Sequence, residues 1–173
     1  VGSEMCIRDS PPTATPATPA PPQSTFKPVV EIVYDENEFH IVETTLVEYI
    51  GEGGDVKIPE HVTAIGDMAF SGRADVTSVE FTKDVVSVGE KAFENCTGLK
   101  GVFTPPSNLA YIGDYAFAGC TGITEIELQN KPMTAGTHIF EGCTSLQKVV
   151  IPKTMGAIPD YTFYGCRSLT DIT

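Results

Sequence analysis

Five phenylalanines, Phe70, Phe93, Phe117, Phe140 and Phe163, recur at spacings of 23, 24, 23 and 23 residues. This period constrains the fold more than any single motif. A repeat of about 20–29 residues makes one small supersecondary unit that cannot bury an apolar face alone, so it must stack on its neighbours. Two further markers hold the same phase. Cys96, Cys120, Cys143 and Cys166 each follow their phenylalanine by three residues, and Val76, Leu99, Ile123, Leu146 and Leu169 each follow one by six.

From the second marker onward the units read Val76-x-x-Val79-x-Phe81, Ile123-x-x-Ile126-x-Leu128 and Leu146-x-x-Val149-x-Ile151. Side chains alternate along a strand, so the third and fifth positions after the marker are expected inside and the second and fourth outside. Proline after Ile58 and Ile151 removes a ladder donor and ends the strand. Glycine at Ile65-Gly66, Val88-Gly89 and Ile112-Gly113 is expected to make a tight turn that brings the chain back to its phenylalanine. Stacked coils would then hold the five phenylalanines in one internal ladder, each worth roughly 1.5–3 kcal/mol on burial. The expected fold is a β-rich solenoid. Short parallel strands repeat at the 23–24 residue period, with turns or short 3-10 segments on the convex side.

The string Ile58-Pro59-x-x-Val62-x-x-Ile65-Gly66-x-x-Ala69-Phe70 is repeated as Val85-x-x-Val88-Gly89-x-x-Ala92-Phe93 and as Tyr111-Ile112-Gly113-x-x-Ala116-Phe117. This pattern resembles the BspA-type leucine-rich repeat, roughly from Val56 to Thr173. Departures occur where Arg73 replaces the first cysteine, Thr104 and Ala135 replace isoleucines, Ile139 and Thr162 replace the last two alanines, and Pro159 replaces the last glycine. The resemblance implies a leucine-rich-repeat protein, secreted or on a bacterial cell surface, that acts in protein binding or adhesion.

Residues 26–54 read differently. Val30-x-Ile32-x-Tyr34, an acidic turn over residues 35–38, Phe39-x-Ile41 and residues 46–50 predict a hairpin and a further strand. Such a segment would be an N-terminal β cap on the open end of the array. Residues 55–173 carry the repeats and stop part-way through one, so the sequence reads as a fragment. Residues 11–25, rich in Pro, Thr and Ala, predict a disordered linker. Residues 1–10 hold no apolar signal-peptide core, and Met5 to Ser10 resemble a translated sequencing adapter, so they are set apart from the fold.

Composition removes several function classes. Eleven Lys plus Arg stand against 23 Asp plus Glu, a net charge of −12, which repels nucleic acid and anionic lipid. No apolar run reaches the ~18 residues of a membrane helix. His40, His61 and His138 sit in no nucleophile or zinc signature and are expected on the surface. Cysteines one per coil are too widely spaced for a zinc site, so they are expected as buried, reduced thiols packing like small hydrophobes. The acidic run at 35–38 lacks the alternation of a calcium loop. No catalytic, cofactor-binding or metal-ligating residue is assigned, and the chain is expected not to be an enzyme.

The outward strand positions define the expected binding surface: Asp55 and Lys57, Ser78 and Glu80, Gly101 and Phe103, Glu125 and Glu127, Lys148 and Val150. Phe103 between Glu80 and Glu127 has the makings of an aromatic anchor in a polar rim. Five strands give roughly 250 Å² of concave sheet, below the ~800 Å² per partner of a standard interface. The function expected from these readings is recognition of an extracellular or host-surface protein ligand through that face. The alternative is an accessory or spacer module of a larger secreted enzyme whose catalytic domain lies outside this sequence.

Overall fold

The computed structural model describes residues 33–35, 38–129 and 131–173. The adapter-like start, the linker, Val30, Ile32 and part of the acidic turn lie outside the described residues. Three strands open the described chain: β1 (Val33–Asp35), β2 (Phe39–Val42) and β3 (Thr45–Tyr49), paired antiparallel in that order. The remainder winds as a β-solenoid whose coils, up to the one that begins at β12, each give one longer and one two-residue strand.

The longer strands are β4 (Gly54–Lys57), β6 (Val76–Glu80), β8 (Gly101–Phe103), β10 (Ile123–Glu127) and β12 (Lys148–Val150), and the two-residue β13 (Asp171–Ile172) continues their column. The two-residue strands are β5 (Ala64–Ile65), β7 (Ser87–Val88), β9 (Tyr111–Ile112) and β11 (Thr134–Ala135). These short strands continue the antiparallel opening as one seven-stranded sheet, in the order β1-β2-β3-β5-β7-β9-β11. Besides the expected turns, β3, β5, β7, β9 and β11 thus pair in parallel as a second ladder. A 3-10 turn spans Lys153–Met155.

Between the sheets lies the phenylalanine ladder. Rings stack from Phe70 to Phe93 at 4.7 Å, on to Phe117 at 5.2 Å, Phe140 at 5.6 Å and Phe163 at 5.9 Å. Tyr49 heads the column 5.0 Å above Phe70, so the aromatic repeat begins one coil earlier than the phenylalanine count suggests. Phe70, Phe93, Phe117 and Phe140 are at most 1 % exposed. Around them pack the other framework positions, including Val88, Ile112, Leu99, Ile126 and Val149.

The repeated glycines have a cause other than the one expected. Gly66, Gly89, Gly113 and Gly136 do not have positive φ and make no left-handed turn. A Cβ on Gly113 would sit 2.5 Å from the Glu90 nitrogen, and one on Gly136 2.6 Å from the Asp114 nitrogen. They are glycine because successive coils touch there. The left-handed positions flank each phenylalanine instead. Two residues before it stand Met68, Lys91, Tyr115, His138 and Tyr161, with φ between 55° and 57°. Two residues after it stand Gly72, Asn95, Gly119, Gly142 and Gly165, also at positive φ.

The cysteines do more than fill space. Each thiol donates to the carbonyl of the phenylalanine one coil back: Cys96 to Phe70 at 2.9 Å, Cys120 to Phe93 at 3.1 Å, Cys143 to Phe117 at 3.2 Å and Cys166 to Phe140 at 3.1 Å. Each of these carbonyls also accepts from the main-chain amide three residues on, and the thiol, a small, weak donor inside the coil, fills its second lone pair. Burial pushes the Cys96 and Cys143 thiols up to about 12 and raises Cys120 and Cys166 in the same direction. All four are unpaired, and all but the half-buried Cys166 are fully enclosed.

Candidate interaction face

Outward side chains of the longer strands stand in two rows held in register by the ladder. Lys57 lies opposite Glu80, Asp55 opposite Ser78, Glu125 opposite Lys148, Glu127 opposite Val150, and Lys148 opposite Asp171. Lys57, Ser78, Glu80, Glu125 and Glu127 are exposed, whereas Lys148 and Val150 are half-buried. The Asp55 carboxylate accepts from the Ser78 hydroxyl at 2.7 Å and from Thr77 at 2.9 Å, and these bonds hold it below the usual carboxylate range. Lys57 and Glu80 approach to 3.7 Å with both side chains about 70 % exposed, a contact worth little. Among the described residues neither Glu125 nor Glu127 has an ion-pair partner.

Phe103 does not belong to this face. It is 6 % exposed, lies 4.8 Å from Phe117 by ring centroid, and pairs in register with buried Ile126. Its neighbour Val102 points out instead, 64 % exposed and opposite Glu125. The reason is the one 24-residue spacing. The extra residue falls between Leu99 and Phe103, where Gly101 adopts φ 73°, and the slip by one reverses which side chains face the core. The aromatic anchor expected at Phe103 is therefore a core residue, and Val102 and Thr104 take the outward positions.

The same irregularity breaks the sheet. Strands β13-β12-β10-β8 form one ladder and β4-β6 another, with no hydrogen bond joining β6 to β8. Nearly all Cα–Cα separations between these two strands exceed 8 Å. A slit of about 90 Å³ lies between them, lined by Thr77, Ser78, Val79, Lys100, Val102 and Thr104 among others. It joins a cavity of about 420 Å³ at the strand ends, walled by Phe81, Thr82, Lys83, Pro105, Ser107 and Gln129. Further hollows of about 430 Å³ and 350 Å³ continue this trough beside Glu60 and Asp84 and beside Ile151 and Lys153.

The histidines divide. His61 is exposed and His40 lies on β2 opposite Glu48. His138 is not a plain surface residue: half-buried, it is stacked between Tyr115 at 4.5 Å and Tyr161 at 4.7 Å. Lys91 extends this outer column, its Nζ 5.6 Å from the Tyr115 ring centre. The left-handed positions that carry these side chains recur at the repeat period, a signal present in the sequence and passed over. Among the described residues no group of three or more His, Cys, Asp or Glu is arranged to hold a metal ion, and no helix is long and apolar enough to cross a membrane.

Comparison with known proteins follows the same lines. The family model described as "BspA type Leucine rich repeat region" matches six copies over residues 49–170. A leucine rich cell surface protein of Faecalibacterium prausnitzii A2-165 is similar at 31 % identity and TM-score 0.68, over 74 % of this chain and 34 % of that one. A leucine-rich repeat protein of Eubacterium ventriosum aligns at 23 % identity and TM-score 0.66, over 78 % and 37 % of the two chains. The T. pallidum leucine rich repeat protein aligns at 23 % and 0.62, over 74 % and 72 %. This chain thus spans about a third of the length of the first two. Comparison with curated protein sequences finds no match.

Proposed function

The chain belongs to the BspA-type leucine-rich repeat family, and from that premise we propose that it is a non-enzymatic protein-interaction module working outside the cell, whose longer-strand face meets the partner. The observation that carries this reading is the face itself. Val102 stands exposed beside Glu125 and Glu127, which lack ion-pair partners among the described residues, and the paired strands hold the rows at fixed spacing. An apolar centre within a polar, pre-ordered rim meets a partner at low conformational cost. An extracellular setting is supported by the likeness to a cell surface protein. It also suits buried thiols whose raised pKa keeps them unreactive.

The test is capture of surface proteins by the immobilised chain, repeated with Val102→Asp and with Glu125→Lys/Glu127→Lys. A saturable partner lost with either variant, and retained with Tyr161→Ser on the outer column, supports the face. A partner indifferent to both variants overturns it.

A further inference from the structure

The seam between β6 and β8 is the place where this sheet has most left to bind. In a parallel ladder the N–H and C=O of one residue point to the same side, and alternate residues point to opposite sides. The Ile58 amide donates to the Glu80 carbonyl at 3.0 Å, so Ser78 and Glu80 serve β4, and Val79 and Phe81 turn their main-chain groups toward the seam. On the other bank the Gly101 amide donates to the Gly122 carbonyl at 3.1 Å, so Gly101 and Phe103 serve β10. Val102 and Thr104 therefore face the seam. Two open strand edges confront each other, each with its donors and acceptors at main-chain spacing.

Their separation matters as much as their chemistry. Paired strands lie ~4.8 Å apart, so a gap that holds one more strand is about twice that. Nearly all separations between β6 and β8 exceed 8 Å, and open volume lies between the strands, while on the core side the Phe81 and Phe103 rings meet edge-on at 5.9 Å. The two banks stay joined beneath: β7 and β9 remain paired in the second sheet, and Phe93 stacks on Phe117 at 5.2 Å. The gap is thus confined to one sheet.

We infer that the seam receives an extended segment of a partner polypeptide, which enters as an additional strand between β6 and β8. This rests on the reading of the longer-strand face as the binding surface and names what binds there. Only a polypeptide main chain matches both edges at once. Its inward side chains are small, because the slit above Val79 and Leu99 holds about 90 Å³. Its outward side chains are polar or basic, set beside Ser78 and Glu80 and steered by the net charge of −12.

The experiment uses the full chain and an acetylated, amidated Lys-Val-Thr-Val-Lys peptide as probe, followed by amide NMR and hydrogen exchange. In the free chain the Val79, Phe81, Val102 and Thr104 amides exchange far faster than those of Ile126 and Val149. The probe shifts and protects them. A peptide of equal charge N-methylated at both valines binds at least about tenfold more weakly, because two main-chain donors are gone. Deleting Lys100, which restores the 23-residue spacing, closes the seam and abolishes binding. Equal binding of the methylated peptide, protection elsewhere on the chain, or no binding of the probe overturns the inference. Seam amides already protected in the free chain overturn it too, as would protection that reflects docking of this chain's own N-terminal residues or of a second copy. The two readings separate cleanly. A captured partner lost with Val102→Asp but kept on Lys100 deletion leaves the face standing and removes the seam, whereas a partner indifferent to both removes the face.

Discussion

Arg73 Nη1 donates to the Tyr49 carbonyl at 2.7 Å, the bond that the Cys96 thiol makes to the Phe70 carbonyl at 2.9 Å one coil later. The departure from the repeat at Arg73 therefore keeps the function of the position it occupies. The guanidinium also donates to the Gly51 carbonyl, pairs with both oxygens of Asp75, and lies 4.5 Å over the Tyr49 ring. One side chain fastens the opening strands to the first full coil.

Arg73→Ala leaves two carbonyls without this donor and should lower stability by about 1–3 kcal/mol, read as a lower urea midpoint. Arg73→Cys should recover part of that, because a thiol reaches only the Tyr49 carbonyl. The bidentate Arg73 contact holds the Asp75 carboxyl at about 2. A group with a depressed folded pKa contributes stability above its unfolded value of ~3.9 and loses it as pH falls toward the folded one. The acid unfolding curve should therefore lose a component between pH ~4 and ~2 in Asp75→Asn. An unchanged curve would deny the contact any role in stability.

Much of the architecture could be read from periodic positions, because each must satisfy the same packing demand in every coil. The phenylalanine column and the buried cysteines are of this kind. What escaped were the places where one residue type answers two different physical needs, or where the period slips. Glycine after Ile65 or Ile112 looked like a turn residue and is a contact residue. Tyr49 stands 21 residues before Phe70, off the period, and its stacking depends on how the opening strands dock. The 24-residue interval was visible, but its extra residue could have been absorbed anywhere between Phe93 and Phe117. Gly101 followed by Pro105-Pro106 was the available clue that the strand itself takes it up.

The thiols predict an alkaline limit. Groups whose folded pKa is raised favour the folded state below the unfolded pKa of ~8.5 and withdraw that contribution as pH rises toward the folded value. Cys96 and Cys143 at about 12 should make stability fall steadily from pH ~8.5 upward. In a Cys6→Ser background, a thiol reagent at pH 8 should label Cys166 first and the others only on unfolding. Cys120→Ala should cost about 0.5–1.5 kcal/mol by removing the thiol bond to the Phe93 carbonyl, which keeps the Cys96 amide as a donor. Fast native labelling of Cys120 would contradict the enclosed ladder.

Two glycine substitutions should separate the two roles of that residue. Gly113→Ala drives a methyl into the Glu90 backbone and should destabilise by about 1–3 kcal/mol, with the larger values if the coils cannot part. Gly54→Ala meets nothing within 4 Å and pays only for φ 79°, about 1–2 kcal/mol. Gly113→Ala should in addition speed exchange of the β7 and β9 amides, which Gly54→Ala should leave unchanged. Matching exchange patterns would mean that inter-coil contact is not what the repeated glycine serves.

Adjacent residues in β8 should behave in opposite ways. Phe103 is wedged against Phe117, with Phe81 edge-on at 5.9 Å, so Phe103→Ala should lose about 3–5 kcal/mol through a buried cavity. Val102 is 64 % exposed, and Val102→Ala should change stability by less than about 0.5 kcal/mol. Partner capture should respond in reverse once folding is accounted for. Val102→Asp should weaken it, whereas a conservative Phe103→Leu that stays folded should not. A stable, binding-defective Phe103→Ala would restore the aromatic anchor to the surface and shift the inward register of β8 by one residue.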